Sequence, residues 1–453
     1  MRILKFKGTK VHDYLTFDID FNKDLSILTG VNGSGKTTAI LLLQAILCPN
    51  FRDLVSIPFE SLLLTVERNQ VEINISVVHS NNKVILSINP NYPTLELEKS
   101  WFEEFEFMSI KHKENFEVND VMLKRLSPHP VIDFIKDLPS PIFIGLERRS
   151  DEAMGSNEDF LLERRILSNK SRQEFSQYKR QFKGTLGVSL LETEFLVQSM
   201  YKKMKRIEEG YTAAIQKQIL MSYFEYIPFD PDKDLDKMTD MINGRRDLLS
   251  RKQEIMEALK KIGYDDNAFT SKFEPLFDKL GTLIDKMAKD DQNKNFATIE
   301  WLVNKSQIEK LSQLVEIIDD FNSKINKAFQ PIRKFTDIIN SFLKDTGKSI
   351  SIDPVGHLII KRPNGKRVSI DALSSGERQI VILFGNVMFN KFTSEGSENI
   401  LIIDEPELSL HIRWQERFIN MLMKASEKTQ FILATHSPDI VGEYKKHNVK
   451  LNK

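Results

Sequence analysis

Apolar residues recur with two different periods along this chain, and the change of period divides it. Leu15-Thr16-Phe17-Asp18-Ile19-Asp20-Phe21 alternates strictly, the period of a strand with one buried face. Residues 2–6 alternate as well. Residues 25–28 form a short continuous apolar run, which predicts a strand buried on both faces. Residues 39–47 are apolar almost throughout and predict a buried helix. Residues 61–67, 70–78 and 83–88 are rich in β-branched side chains. Arg68-Asn69 and Ser80-Asn81-Asn82 punctuate them, and together they predict an antiparallel meander. Residues 102–119 are aromatic and acidic and predict no element. Residues 142–145, after Pro139-Ser140-Pro141, predict a core strand.

From about Asn157 to Lys344 the period becomes helical. The longest candidate helices cover 160–183, 190–224, 235–262 and 296–343. Ile308, Leu311, Leu314, Val315, Ile318, Phe321 and Ile325 mark one apolar face at spacings of three and four. Gly210, Pro228, Pro231, Gly263 and Pro275 read as breaks. The expectation is therefore a compact helical insert or a short antiparallel arm, not a long coiled coil. After Asp345 strands return, over 349–353 and 357–361, and Asn364-Gly365 signals a hairpin. Helix, strand, helix and strand follow over 377–390, 400–403, 412–425 and 430–434. Three regions result: 1–150, a helical insertion over 151–345, and 346–453.

Composition narrows this picture only slightly. The 453 residues suffice for two or three domains. Lys+Arg and Asp+Glu are 64 each, so overall charge argues for neither a nucleic acid nor an anionic membrane. Cys48 is the one cysteine and reads as a packing residue, which rules out an internal disulfide framework. The start of the chain has no apolar signal region, and no apolar run approaches the ~18 residues a membrane span needs. These features predict a cytoplasmic protein with no membrane partner.

The chemistry begins at Gly30-Val31-Asn32-Gly33-Ser34-Gly35-Lys36-Thr37-Thr38, which fits G-x-x-x-x-G-K-[S/T] between a predicted strand and a predicted helix. Gly30, Gly33 and Gly35 let backbone N–H groups of Asn32, Ser34 and their neighbours converge on phosphate, and the helix start adds a partial positive charge. Lys36 would reach the β- and γ-phosphates of ATP. Thr37 would ligate Mg²⁺, and Thr38 extends the cradle. Residues 399–406 are an apolar strand ending in Asp404-Glu405-Pro406, the Walker B pattern of a P-loop protein. Asp404 would hold Mg²⁺, directly or through water. Glu405 would act as general base on the attacking water.

Leu373-Ser374-Ser375-Gly376-Glu377-Arg378-Gln379 precedes an apolar helix, with Ser374 or Ser375 as a natural N-cap. It resembles the signature motif of the ABC ATPase superfamily, in the form typical of the SMC and RecF branch. The resemblance implies an α/β fold, the ABC-ATPase head: a P-loop NTPase mixed sheet with an antiparallel β meander, here carrying a long helical insertion. It also implies an ATP-sandwich dimer, in which Ser374, Ser375, Gly376 and Glu377 of a second copy meet the γ-phosphate held by the first copy's P-loop. Glu407-Leu408-Ser409-Leu410-His411 stands where the family has its D-loop, and His411 reads as a packing or interface residue there. His436, in Ala434-Thr435-His436-Ser437-Pro438, stands at the switch histidine, which would sense the γ-phosphate. The family's Q-loop glutamine has no counterpart in Gly145-Leu146-Glu147-Arg148-Arg149. Either Glu147 takes the metal or water contact and Arg148 or Arg149 reaches phosphate or the insert, or the stretch is a charged turn.

Nearly the whole chain lies between Lys36 and Asp404, far more than a transporter ATPase subunit carries there. The motifs are most similar to stand-alone ATPases of the OLD-like group, those of anti-phage systems such as Septu, its retron-linked relatives and PARIS. OLD nucleases continue into a Toprim domain, whereas a short basic tail follows His436 here. That resemblance implies an ATPase without its own nuclease site, which scaffolds or senses for a separate effector, a nuclease in the first instance. A RecF- or SMC-like DNA-repair ATPase that binds DNA directly is the alternative. Oligomers beyond the dimer and contact with nucleic acid stay open at this point.

Overall fold

The computed structural model describes residues 1–48, 50–89, 92–104, 125–126, 129–139, 141–145, 185–224, 249–263, 267–288, 294–389, 399–408 and 410–451. The helix predicted over 160–183, the first half of that predicted over 235–262, and the stretch 105–119 lie outside these residues. The architecture is the predicted one, an α/β head with a mixed set of sheets and a long helical stretch.

Six antiparallel strands form the first sheet, in the order β2-β1-β4-β5-β6-β7. They are β1 (Arg2–Val11), β2 (Leu15–Asp20), β4 (Ser61–Arg68), β5 (Val71–Ser80), β6 (Lys83–Asn89) and β7 (Leu95–Glu98). The alternation of β2 is realised residue for residue, with Leu15, Phe17 and Ile19 buried and Thr16, Asp18 and Asp20 exposed. The meander's turns are the two-residue kind. Arg68 pairs with Val71 across Asn69-Gln70, whose φ values are 52° and 64°. Two left-handed residues in succession match the twist of the flanking strands.

The second sheet is fully parallel, in the order β14-β3-β13-β12-β8. Its strands are β3 (Leu25–Thr29), β8 (Ile142–Gly145), β12 (Asn399–Asp404), β13 (Thr429–Ala434) and β14 (Asn448–Lys450). Strands buried on both faces read as unbroken apolar runs, and all six residues of β13 are buried. Helix α1 (Lys36–Leu47) joins the two sheets into one core. Its Leu42, Leu43 and Ile46 share a cluster with Phe6 and Ile19 of the antiparallel sheet and Ile402 and Ile432 of the parallel one. Short helices α2 (Phe51–Ser56) and α3 (Pro130–Asp137) border this core. A small third sheet, β11-β10-β9, contains the predicted hairpin. Its strands are β9 (Ser349–Ile352), β10 (Leu358–Lys361) and β11 (Arg367–Ser369), and Gly365 turns it at φ 78°.

By contact density the chain forms two units, Met1–Ser199 with Lys334–Lys453, and Met200–Arg333. The second is helical. It draws on α4 (Thr185–Phe224), α5 (Lys252–Lys261), α6 (Asn267–Ala288) and α7 (Lys294–Leu343). Its core gathers Ile215 and Ile219, Ile255 and Leu259, Phe273 and Phe277, and Ile308 and Ile318. Two of the predicted breaks do not break anything. Gly210 lies inside α4, where a Cβ would meet nothing within 4 Å. Glycine there costs only about 1 kcal/mol of helix propensity. Pro275 lies inside α6. A mid-helix proline costs about 3 kcal/mol. Burial of Phe273, Phe277, Leu280 and Leu283 on either side of it is worth roughly 1.5–3 kcal/mol for each side chain, so packing outweighs the local penalty.

The remaining helices are α8 (Ser375–Phe389), α9 (Ile412–Ala425) and α10 (Pro438–Val441). Both α8 and α9 pack into the core of the first unit, through Phe384 and Phe418.

Candidate functional site

Strand register assembles the site. Across the parallel sheet Gly145 pairs with Asp404, Asp404 with Ala434, and Ala434 with Leu28. The carboxyl ends of β8, β12, β13 and β3 therefore lie level. In an open α/β sheet this edge is where ligands bind. The P-loop leaves β3 there, the acidic turn 405–408 leaves β12, and Thr435–Ser437 leaves β13.

The P-loop needs its glycines for distinct reasons. Gly33 and Gly35 have φ values of 77° and 88°, which residues with a Cβ seldom adopt. Gly30 has no room, because a Cβ there would stand 2.5 Å from Ser34 Oγ. Gly35 is the N-cap of α1, and no side chain caps the helix. The first-turn amides are thus left for an anion. Asn32 is exposed at the rim, while Thr37 and Thr38 are half-buried in the first turn.

Lys36 is only 4% exposed. Its Nζ donates to the carbonyls of Gly30 at 2.9 Å and Val31 at 3.4 Å, and lies 3.4 Å from both Ser34 Oγ and His436 Nδ1. Burial holds the ammonium below its usual range, against the opposing pull of Asp404, Glu405 and Glu407. With three protons and four acceptors, the group folds back onto its own loop. His436 accepts from the ammonium only while its Nδ1 is unprotonated.

Asp404 shows the opposite strain. Burial pushes its carboxyl up, and the neighbouring Glu405 and Glu407 add to this. A hydrogen bond with Thr37 and the charge of Lys36 pull the other way. Its Oδ1 is buried with no hydrogen-bond partner. A buried orphan oxygen on a carboxylate, beside a threonine hydroxyl, suits a hard cation such as Mg²⁺. Thr37 and Asp404 are the residues that would hold it. Glu405, at the same strand end, has φ 51°. A left-handed conformation in a non-glycine residue stores of order 1 kcal/mol or more and concentrates at functional sites. Its N–H donates to the Ala434 carbonyl at 2.8 Å, which ties the acidic turn to β13.

Two residues that sequence reasoning left without a role complete this edge. The Glu407 carboxylate accepts from Thr435 Oγ1 at 2.8 Å and from the backbone N–H of His436 at 2.6 Å. Gln415 of α9 donates to the Leu410 carbonyl at 2.8 Å and accepts from Ser437 Oγ at 2.6 Å. The second glutamate of Glu405-Pro406-Glu407 was the only available signal, since its partners lie some thirty positions on. His411 caps α9, its Nδ1 accepting from Arg413 N–H at 3.3 Å, which gives it a structural task.

The stretch 373–379 is built differently. Ser374 and Ser375 are exposed at the start of α8, and Gly376 is buried. Glu377 reaches back to the Ser374 N–H at 2.8 Å, and its own N–H points to Ser374 Oγ at 3.5 Å, a capping box. The Glu377 carboxylate is 1% exposed and pairs with Lys348 Nζ at 2.8 and 2.9 Å. Burial works against the charge, but Lys348 and the Ser374 N–H prevail and hold it below the usual carboxylate range. Glu377 thus spends its oxygens inside its own chain, while Ser374 and Ser375 face outward. Among the described residues no hydrogen bond joins this stretch to the P-loop. Glu147 and Arg148 lie outside the described residues, as does Ser409.

The family profile described as "AAA ATPase domain" matches residues 12–441. A retron Vc95 probable ATPase from Vibrio cholerae serotype O1 biovar El Tor is 28% identical over 42% of this chain and 42% of its own length. A retron Ec83 probable ATPase from Escherichia coli is 28% identical over 36% of this chain and 30% of its own. The Septu protein PtuA of Bacillus mycoides is 35% identical over 15% of this chain and 10% of its own. The chain spans less than half the length of these curated relatives. Among the described residues no helix is long and apolar enough to cross a membrane.

Proposed function

The chain belongs to the AAA ATPase domain family, and from that membership we propose that it binds and hydrolyses ATP with Mg²⁺, dimerises around the nucleotide, and acts in anti-phage defence as a cytoplasmic scaffold or sensor for a separate effector, a nuclease. One observation carries the enzymatic part. Lys36, Asp404, Glu405 and His436 converge at a single sheet edge, with Lys36 Nζ and His436 Nδ1 3.4 Å apart and a buried Asp404 oxygen unpartnered. In this reading Lys36 exchanges its contacts with the Gly30 and Val31 carbonyls for phosphate oxygens. The amides of 33–38 wrap the phosphates, Glu405 takes a proton from the attacking water, and His436 contacts the γ-phosphate. Bound Mg²⁺, held by Thr37 and Asp404, supplies neutralisation of charge on the phosphates. The outward-facing Ser374 and Ser375 and the start of α8 meet the nucleotide of a second copy, with Glu377 shaping that surface from beneath. The helical insertion is the receiver of the nucleotide state.

The defence assignment rests on the likeness to the retron and Septu proteins. Purifying the protein from its native host and identifying what accompanies it tests the effector. A stoichiometric nuclease supports the reading. Tight DNA binding by the ATPase alone, with no partner protein, refutes it in favour of a DNA-repair ATPase. The protein purified alone should hydrolyse ATP, and its complete failure to do so with Mg²⁺ refutes the enzymatic part.

A further inference from the structure

Among the described residues Glu407 makes no hydrogen bond to the P-loop or to Asp404, although its charge acts on Lys36 and Asp404, and the turn that carries it also carries Glu405. We infer that Glu407 is a positioning residue, which sets His436 against Glu405 and passes the state of the 407–411 turn to the γ-phosphate side of the site. This rests on the ATPase reading above.

The geometry makes the case. His436 sits on a loop that leaves β13 and is exposed. The Thr435 N–H on the Leu28 carbonyl at 3.1 Å and the Ser437 N–H on Thr435 Oγ1 at 3.0 Å hold it locally. Three further ties fix it to the acidic turn and α9. The Glu405 N–H bonds the Ala434 carbonyl at 2.8 Å. The two oxygens of Glu407 divide between Thr435 Oγ1, at 2.8 Å, and the His436 N–H, at 2.6 Å. Gln415 then bridges the Leu410 carbonyl and Ser437 Oγ, at 2.8 and 2.6 Å. The 407–410 turn is itself closed by the Leu410 N–H on the Glu407 carbonyl at 3.0 Å. Movement of that turn therefore moves the carboxylate, and the carboxylate carries the backbone amide of His436. Charge-assisted bonds are the strong members of such a set, and a backbone amide held by a carboxylate fixes a residue's position whatever its side chain does. Gln at 407 keeps one acceptor for the His436 N–H but turns its NH₂ toward the Thr435 hydroxyl, which must then accept instead of donate, so both bonds lose the charge that made them strong.

A double-mutant cycle on ATP hydrolysis tests this. In the full chain Glu407→Gln should lower kcat about 10- to 100-fold with KM within about twofold, the signature of lost transition-state contact. In a His436→Ala background the same change should cost less than about twofold more, because its target is already gone. Thr435→Val, which removes the tie to Glu407 and the Ser437 N–H contact at Oγ1 without altering charge, should lower kcat by a smaller factor and show the same lack of additivity. It also serves as the readout if Glu407→Gln fails to fold. Unchanged kcat in both variants, or losses that multiply with that of His436→Ala, overturns the proposal. An active wild-type chain with multiplying losses sinks this inference alone. A wild-type chain with no hydrolysis sinks the ATPase reading together with it.

Discussion

At the edge of the parallel sheet Asp404 keeps a buried oxygen without a partner, Lys36 is held below its usual range by burial, and Glu405 sits at φ 51°. At the start of α8 Glu377 is buried more deeply, yet its carboxylate is bonded by Lys348, Thr346 and the Ser374 N–H. The first region carries unmet demands that a nucleotide and a cation would meet. The second is finished before any ligand arrives and offers only its exposed serines. A site that binds within its own chain can stay strained until it is filled. In the proposed dimer, a surface offered to a second copy has to be rigid in advance, because ordering it on contact would subtract from the affinity.

The largest expected effect falls on the strained side. Glu405→Gln should reduce hydrolysis at least ~100-fold, while ATP binding persists and ATP-bound dimers accumulate. Hydrolysis assays with light scattering of size-separated protein check both points. A monomer in ATP breaks the contrast by showing that this edge does not need a second copy, and undiminished turnover breaks it by showing that Glu405 is not the base.

The next effect probes the finished side. Lys348→Met leaves Glu377 buried without its cation and should destabilise the fold by about 2–3 kcal/mol, below the full penalty for a buried pair because Lys348 retains some solvent. Denaturant unfolding measures it. The pH dependence should carry the sign of a depressed carboxylate. Glu377 contributes stability that is present above its ordinary value of 4.5 and is lost as pH falls through its lower folded value. Glu377→Gln should flatten that acid limb. An unaltered limb would mean the start of α8 is not held by this charge.

The smallest effect returns to the sheet edge with the opposite sign. Asp404 has a raised folded pKa, so its ionisation opposes folding above that value and the penalty fades as pH falls through it. Asp404→Asn should therefore raise the stability of nucleotide-free protein by about 1 kcal/mol while abolishing hydrolysis. Thermal melts across pH check it, and a lower melting temperature at neutral pH would remove the claim of stored strain.

The local code was readable where residues close in sequence cooperate. The P-loop, the Asp404-Glu405 strand end, the meander and the serine N-cap of α8 each span fewer than a dozen neighbours or obey a simple period. The misread breaks at Gly210 and Pro275 show the limit of that code. A local penalty was visible, whereas the buried phenylalanines and leucines that override it count only once other helices cover them. Glu407 and Lys348 were equally opaque. Their partners sit 29 positions away in each case, and no local pattern announces a hydrogen bond across such a distance.

By itself the sequence determined which groups can cradle phosphate, hold a cation and activate water, because glycine freedom, charge and hydroxyl chemistry belong to residues wherever they sit. Only the tertiary structure decided that Gly145, Asp404, Ala434 and Leu28 stand level, that Lys36 meets His436 across the sheet edge, and that Glu377 faces inward while Ser374 faces out. Those outcomes depend on strand register and burial, which arise from packing the whole chain at once.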